Sequence, residues 1–274
     1  AYASSLRSMQ RYLGKKDFPF IKLSSRIISD YQGKLLASGI CDNTIGFYLH
    51  NIKALFRKGC REMGLELPCP FRDISIKTEK TLKRSLDPVV IKTLSAIELE
   101  KDSPLSLARD IFMFSFYTRG MSFVDIALLK KRHVFPGEIC YRRHKTDQLM
   151  RVGINKEISR ILERYKNVPG EYIFPLFPAE RDPYAGYRNA YHRIRYSLGK
   201  ISRVIGLEFP LRLHAARHSW ATIAKVNGAS VHVIGECLGH TSEKTTRIYL
   251  KELDHSALDA VNNQVADFIL AVDD

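Results

Sequence analysis

Long hydrophobic segments, nucleotide-binding loops and a signal-peptide core are all missing from this sequence of 274 residues. No apolar run approaches the roughly 20 residues that a membrane-spanning helix needs, and the N-terminus has no apolar export signal. No glycine-rich loop of the kind that cradles nucleotide phosphates is evident. These absences exclude an integral membrane protein and argue against chemistry driven by ATP.

Paired cysteines are also missing, because the five cysteines are odd in number, scattered and without a C-x-x-C pair. This pattern indicates free thiols in a reducing cytoplasm and argues against a disulfide scaffold or a zinc ribbon. The cysteines are Cys41, Cys60, Cys69, Cys140 and Cys237.

Negative charge is scarce: 29 Asp and Glu face 43 Lys and Arg, which leaves a net charge of +14. A surplus of this size favours a polyanionic partner, and DNA is the commonest polyanion that a soluble protein meets. RNA-binding, ribosomal and acidic-membrane-binding proteins share the bias, so charge alone does not name the partner. The hydrophobic content of 45% is that of an ordinary globular protein. The length of 274 residues allows one large or two modest domains.

The most informative stretch, residues 214–249, predicts three short helices. Gly228 and Gly239 follow apolar-periodic runs and are natural helix stops, and Ser242 is a candidate N-cap for the last helix. The segment gathers several polar side chains onto neighbouring helix ends: His214, Arg217, His218, His240 and Tyr249.

An H-x-x-R motif at residues 214–217, an L-G-H ending at His240, and Tyr249 after a Thr-rich run resemble the C-terminal signature of the tyrosine recombinase (phage integrase) family. The resemblance implies a site-specific recombinase that cleaves and rejoins DNA through a 3′-phosphotyrosine in integration, excision or inversion, without a cofactor. Tyr249 is then the nucleophile and Arg217 clamps the scissile phosphate. His214 and His240 donate hydrogen bonds to that phosphate or assist proton movement.

The family pattern breaks at its first arginine. When Asp125 is aligned with the acidic residue of the pattern, Ser122 takes the arginine position, which resembles integrases found on mobile elements. Our hypothesis is that Arg119, one helical turn earlier, supplies the second guanidinium. Arg142 and Arg143 are rivals for that role, and the structural alternative is that Arg119 binds Asp125. Ser122 itself is expected to form a capping box with Asp125.

Residues 138–155 alternate and turn near Asp147, which predicts a β-hairpin with Lys145 at its tip. The position matches the hairpin lysine of the family, and the resemblance implies that Lys145 protonates the leaving 5′-oxygen. Hairpin lysines are also common as plain surface residues, and that alternative stays open.

The fold is predicted to be mainly α with a small β-sheet or hairpin, in two domains. Residues 1–80 form helices whose pattern begins abruptly, with Leu6 on the apolar side, and residues 68–85 have the composition of a linker. The resemblance implies that residues 1–80 are an N-terminally incomplete, SAM-like core-binding bundle. Residues 81–274 are then the mixed α/β catalytic domain.

Two basic helical segments are predicted to contact DNA phosphates. The alternative for each is an ordinary solvated helix face. The predicted DNA-binding residues are Lys53, Arg57, Lys58, Arg61, Arg188 and Arg193, the last two in a stripe with Arg195, Lys200 and Arg203.

The C-terminal residues 256–274 form an acidic amphipathic pattern, which is typical of a protein ligand and unlike a DNA binder. The resemblance implies that this helix docks on a neighbouring subunit of a homo-oligomer, a tetramer on double-stranded DNA, with DNA-bending accessory proteins as further partners. Packing on its own domain is the alternative.

Other functions remain open at this level. His214 and His218 have a zinc-compatible spacing that Cys237 and His240 could extend, but no Glu follows His214 as in a metalloprotease helix. We therefore expect no metal and full activity in a chelator. A type IB topoisomerase shares the same machinery, and a non-catalytic DNA-binding relative is made more credible by Ser122.

Overall fold

Helices dominate the computed structural model, which describes residues 2–77, 79, 85–177, 183–240 and 242–250, without the side chains of residues 183–185, 248 and 249. These residues form eleven α-helices and one three-stranded antiparallel sheet, so the predicted fold class is confirmed. The chain divides into two units, residues 1–82 and 83–274. In the described ranges, no helix combines the length and apolarity needed to cross a bilayer.

The first unit contains three α-helices around one apolar core: α1 (Tyr2–Leu13), α2 (Ser25–Ala37) and α3 (Asp42–Glu62). Ser24 caps α2 by accepting a hydrogen bond from the amide of Ile27 at 3.3 Å. The apolar stripe of α3 is almost fully buried at four positions: Ile45, Leu49, Ile52 and Phe56.

Two expectations for this unit are wrong. Leu6 is 43% exposed, and the core side of α1 carries Ser5, Ser8 and Met9 instead. On this side Ser8 accepts a hydrogen bond from the buried hydroxyl of Tyr31 at 2.8 Å, which satisfies that polar group in the core.

The predicted linker also begins too early, because residues 68–77 pack on the first unit. Phe71 is 2% exposed within its core, and Gln32 donates to the carbonyl of Ser75 at 2.9 Å. The proline and lysine content of this segment indicated a linker, although Phe71 packs in the core of the first unit. Of the rest of the predicted linker, residues 78 and 80–84 lie outside the described residues.

The second unit is built around α5 (Pro104–Tyr117), whose apolar residues are buried on nearly all sides. It packs against α8 (Pro183–Val204) and α9 (Leu213–Val226). Three further helices complete this layer: α4 (Pro88–Ala96), α6 (Phe123–Ala127) and α7 (Lys156–Arg164). Asp87 caps α4 by accepting a hydrogen bond from the amide of Val89 at 2.8 Å.

The sheet consists of β1 (Val134–Phe135), β2 (Glu138–Arg142) and β3 (Leu149–Gly153) in that order. Cys140 pairs with Arg151, which confirms the predicted hairpin between β2 and β3. Ile139 and Val152 face the core, and the turn between the strands carries Lys145.

The C-terminal part of the second unit continues with α10 (Val231–Leu238) and α11 (Glu243–Tyr249). Both predicted glycine stops are confirmed, because Gly228 and Gly239 have φ of 84° and 62° just after helix ends. Ser242 stands at the N-cap position of α11, but its side chain makes no capping hydrogen bond. The predicted docking helix at residues 256–274 lies outside the described residues.

Candidate active site

Arg217 is the fixed centre of the polar cluster in the second unit. It is only 5% exposed, and its guanidinium donates to the carbonyls of Gly120 at 2.7 Å and Leu238 at 2.5 Å. A buried charge is costly unless it is hydrogen-bonded, and here backbone dipoles from two different segments supply the bonds. The guanidinium is thus held in place before any ligand arrives.

Gly120 is required because Arg217 passes directly over it. A Cβ at this position would lie 2.5 Å from Cγ and 2.8 Å from Cβ of Arg217, and φ of Gly120 is +76°. Any side chain would clash and would also strain the backbone. The structure thus shows that Gly120 makes room for Arg217.

His240 joins Arg217 to α11. Its Nε2 lies 2.9 Å from Nη2 of Arg217, and its Nδ1 lies 3.0 Å from Oγ1 of Thr246. A guanidinium can only donate, so Nε2 accepts and the proton of the neutral ring is on Nδ1. Burial, then the charges of Arg217 and Arg143, lowers the pKa of His240 to about 4, so the ring is neutral near pH 7. In this arrangement Nε2 does not carry the proton that donation to a phosphate needs.

The hairpin turn is fastened to α6 by Asp125. One carboxylate oxygen accepts from the amide of His144 at 2.8 Å, and the other accepts from the hydroxyl of Ser122 at 2.6 Å. The bond from the amide of Asp125 to Ser122 is long, at 3.5 Å, so the expected capping box is replaced mainly by a hydroxyl–carboxylate bond. Asp125 thereby sets the position of Lys145, which is exposed and close enough to lower the pKa of His240.

The arginines near the hairpin differ in their surroundings. Arg142 is exposed and binds Asp147 at the turn, which places it outside the cluster. Arg143 is 9% exposed and donates to the carbonyl of Gly239, whose missing Cβ would lie 2.9 Å from Cδ of Arg143. Arg119 is half-buried, with φ of 61°, and no ion pair with Asp125 occurs among the described residues.

Tyr141 is a buried residue close to these arginines in its electrostatics, and sequence reasoning missed it. Its pKa is raised by burial and then by the charge of Asp125, whereas Arg143, Arg217 and Arg119 act in the opposite direction. The charges of three arginines thus act on one buried phenol. The sequence signal for its burial is the alternation of side chains along the strand, which places residue 141 on the core side of the hairpin.

The two histidines of α9 contact each other edge to face. The rings of His214 and His218 lie 4.7 Å apart at right angles, with His214 exposed at the helix start. Among the residues that the structure describes, no group of three His, Cys, Asp or Glu is arranged to hold a metal. His214 is near enough to His240 to contribute to the lowering of its pKa.

Tyr249 is the last residue of α11, and the structure does not describe its side chain. The helix itself is anchored by Thr246, which is fully buried and bonded to His240. The structure therefore brings Arg217 and His240 into contact, and the charges of Arg143, Lys145 and His214 act on the same ring. Arg119 acts together with Arg143 and Arg217 on the pKa of Tyr141.

The basic residues of the first unit form two surfaces. The four predicted residues on α3 lie on its solvent side, where Lys58 pairs with Glu62 at 3.6 Å. Sequence reasoning missed a second surface, a depression of about 640 Å³ between α1 and α3, here called the α1 depression. Tyr48 lines it together with Ser4, Arg7, Gln10, Arg11, Gly14, Lys15 and Lys16.

The predicted basic stripe of α8 is not one stripe, because its members point in different directions around the helix. Arg188 and Arg193 are both exposed, and Arg193 also donates to the carbonyl of Leu176 at 2.7 Å and so holds a loop. Lys200 lies 4.7 Å from the ring of Tyr196. A depression of about 440 Å³ collects the remaining cations with aromatic residues: His192, Arg195, Tyr196, Gly199, Lys200, Arg203 and Arg212.

Comparisons with known families match both units of the chain. The model of the phage integrase family matches residues 85–255, and that of the phage integrase SAM-like domain matches residues 1–72. The tyrosine recombinase XerD of Pseudomonas putida is 36% identical over 257 residues, which cover 91% of this chain and 84% of that protein. XerC of Shewanella oneidensis is 26% identical over 226 residues, covering 79% and 70%.

Solved structures share the fold at low sequence identity. A lambda integrase dimer bound to a core site has a TM-score of 0.69 at 17% identity, covering 92% of this chain and 89% of that one. The integrase of transposon Tn1549, in complex with a circular intermediate DNA, has a TM-score of 0.65 at 15% identity, covering 93% and 91%. The two-unit arrangement of helices with a small sheet is thus that of solved integrases.

Proposed function

This chain belongs to the phage integrase family and is a tyrosine recombinase, a site-specific DNA recombinase, and we propose that its reaction proceeds through Tyr249. The phenol gives its proton to water, its oxygen attacks the scissile phosphorus, a 3′-phosphotyrosine forms, and the bond to the 5′-oxygen breaks. The ammonium group of Lys145 gives a proton to that oxygen. A 5′-hydroxyl from a second strand then attacks the phosphotyrosine, returns its proton to the Lys145 amine and restores a phosphodiester, while the tyrosine leaves and recovers a proton from water. The bond energy is kept in the intermediate, so the reaction needs no ATP, and because side chains stabilise the developing charge it needs no metal.

The preorganised guanidinium of Arg217 is the observation that carries this proposal. Phosphoryl transfer concentrates negative charge on the non-bridging oxygens, and a fixed cation stabilises it without reorganisation in the transition state. Arg217 is held by two carbonyls, and Lys145 and His214 lie in the same cluster. We assign the phosphate clamp to Arg217, with His214 donating from the exposed start of α9.

We assign the second guanidinium to Arg119. It is half-buried next to Gly120, and it acts on the pKa of Tyr141 together with Arg217. Arg143 is the alternative candidate for the second guanidinium, because its charge also acts on His240 and its side chain is buried against Gly239. Arg142 is set aside because it binds Asp147 on the exposed side of the hairpin.

DNA binding is assigned to the basic surfaces of both units. In the first unit, the α1 depression supports a phosphate-binding surface in addition to the predicted residues Lys53, Arg57, Lys58 and Arg61 of α3. In the second unit we keep Arg188 and Arg193 and add the depression on α8. The five free cysteines are consistent with a reducing, cytoplasmic setting.

Assembly into a homo-oligomer on DNA is part of the proposal. Related structures include a lambda integrase dimer on a core site and a lambda integrase tetramer on a Holliday junction. We propose a tetramer in which the acidic residues 256–274 dock on a neighbour, with DNA-bending accessory proteins assisting.

The test uses nicked duplexes cut from the DNA that flanks the coding sequence. The wild-type protein is expected to give a covalent protein–DNA band on denaturing electrophoresis, in buffer containing a chelator. Tyr249→Phe is expected to bind the same duplex with unchanged affinity and to give no band, because only the nucleophilic oxygen is removed. An adduct that persists in Tyr249→Phe, or one that requires added metal, contradicts the proposal.

A further inference from the structure

We propose that Thr246 is a positioning residue of the recombination site, whose hydroxyl accepts a hydrogen bond from Nδ1 of His240 and so directs Nε2 toward Arg217. The inference rests on the proposed function, in which Arg217 binds the scissile phosphate. Thr246 acts through two other side chains and does not touch the DNA.

The direction of each hydrogen bond follows from the chemistry of the groups. Arg217 has no acceptor atom, so the ring nitrogen that lies 2.9 Å from its Nη2 must accept. The ring proton is then on Nδ1, and the Thr246 hydroxyl, 3.0 Å away, must accept it. The result is a chain of oriented bonds from α11 through His240 to α9.

The position of the hydroxyl is itself fixed. Thr246 is fully buried, and a Cβ at Gly235 would lie 2.9 Å from its Oγ1. The absence of a side chain at Gly235 therefore lets α11 approach α10 closely enough for the bond to form. Thr246 also precedes Tyr249 by three residues in the same helix. One side chain thus sets both the approach of the nucleophile helix and the tautomer of His240.

Removal of the hydroxyl has a specific consequence for Arg217. Nδ1–H would lose its acceptor in a partly buried place, so the ring is no longer held in its orientation and can turn toward water, where Nε2 can carry the proton. Arg217 would then lose the acceptor at Nε2 and shift from its fixed position. A shift of this kind reduces transition-state stabilisation, whereas DNA binding depends on many phosphate contacts and is kept.

The first test compares Thr246→Val, which keeps the shape, with Thr246→Ser, which keeps the hydroxyl. Thr245→Val is the matched control, because Thr245 is the exposed neighbour in the same helix. Single-turnover adduct formation, affinity for the nicked duplex and unfolding temperature are measured for each. We expect Thr246→Val to cleave about tenfold to a hundredfold more slowly with unchanged affinity. Thr246→Ser is expected within about threefold of wild type, since the misplacement is avoided, and Thr245→Val at the wild-type rate.

The second test reads the tautomer directly in protein labelled with ¹⁵N on histidine. The His240 signals are identified by their loss in His240→Gln, and the shifts of the two ring nitrogens show which one carries the proton. Wild type is expected to carry it on Nδ1, and Thr246→Val is expected to shift it toward Nε2.

Three outcomes overturn the proposal: a proton on Nε2 in the wild type, wild-type cleavage by Thr246→Val, or equal loss in Thr246→Ser and Thr246→Val. A wild-type protein that forms no covalent adduct at all contradicts the proposed function instead. In that case the nitrogen shifts still decide whether Thr246 controls His240.

Discussion

Positive charge is organised differently in the two units. In the second unit, Arg217 is buried and donates to the backbone carbonyls of Gly120 and Leu238. In the α1 depression of the first unit, Arg7 and Arg11 are exposed, and neither forms an ion pair among the described residues. One region holds its central cation in a fixed, buried position, and the other presents several exposed cations to solvent.

This difference corresponds to two electrostatic tasks. Stabilising a transition state requires charge at one point and in a fixed orientation. The desolvation free energy of the buried cation is offset by hydrogen bonds to backbone carbonyls that form when the protein folds. A DNA backbone needs charge along a path, and exposed cations release counterions when they bind it. The first type of charge is insensitive to salt because it is buried, and the second is strongly salt-dependent.

Gly120→Ala is the largest expected disruption, and it acts on the fixed cation alone. The new methyl group would lie 2.5 Å from Cγ of Arg217, and the backbone has φ of +76°, which is unfavourable for alanine. We expect cleavage to fall below detection while the salt dependence of DNA binding stays that of the wild type. Adduct formation and binding are measured on the same nicked duplex.

Gly137→Ala is the matched control, since Gly137 also has positive φ, of 82°, but open space where a side chain would go. It shares the backbone strain without the clash. Normal cleavage by Gly120→Ala, or an equal loss in Gly137→Ala, would show that close approach to Arg217 is not what the site requires.

Arg119→Ala is expected to have the next largest effect. Loss of a charged donor to a transition-state oxyanion lowers the rate by roughly two to three orders of magnitude, so cleavage should slow by that factor with DNA binding largely kept. Arg142→Ala, at the exposed side of the hairpin, is the control and should cleave normally. Wild-type rates in Arg119→Ala with a collapse in Arg143→Ala would give the role to Arg143. Single-turnover rates at saturating protein separate these outcomes from weaker binding.

The sequence predicted the framework of the site better than its internal contacts. Helix ends at Gly228 and Gly239 and the hairpin around Lys145 follow from local rules that operate within a few neighbouring residues. The contact between Gly120 and Arg217 joins positions 97 residues apart, and the local sequence pattern of neither segment predicts it. Phe71 was missed for a related reason, because its burial depends on the surface of the first unit and not on its own proline-rich neighbourhood.

The exposed cations should respond to salt. In Arg7→Ala/Arg11→Ala, two cations are removed from the α1 depression, and each lost phosphate contact lowers the slope of log affinity against log salt by about 0.9. We therefore expect a slope reduced by about 1.8 and a loss of affinity of about tenfold or more at low salt. Cleavage at saturating protein should be unchanged.

Lys53→Ala/Arg57→Ala is the comparison variant on α3. These residues lie about 140° and 180° around the helix from Tyr48, which lines the depression. An unchanged slope in Arg7→Ala/Arg11→Ala, with a reduced slope in Lys53→Ala/Arg57→Ala, would move the DNA to the α3 surface. Reduced slopes in both would mean that DNA contacts both sides of α3.

The smallest expected effect is one of pH, and it concerns the buried cluster alone. The pKa of His240 is lowered from its ordinary value of 6.5 to about 4, because burial and the charge of Arg217 disfavour the imidazolium. Between about pH 6.5 and pH 4, His240 is therefore protonated in the unfolded chain but neutral in the folded protein. Stability from this group is complete above about pH 6.5 and is lost as pH falls toward 4.

His240→Gln provides the measurement, since the glutamine carbonyl can accept from Arg217 but does not titrate. Between pH 7 and pH 5, the unfolding temperature of wild type is expected to fall by about 2–4 °C more than that of His240→Gln, as for a change of about 1 kcal/mol in a chain of this size. Because the ring is partly exposed, solvent screening keeps the effect this small. Equal pH dependence in the two proteins would mean that His240 titrates normally and that the site around Arg217 is open to water. The cluster would then resemble the α1 depression, and its rate should become salt-dependent as well.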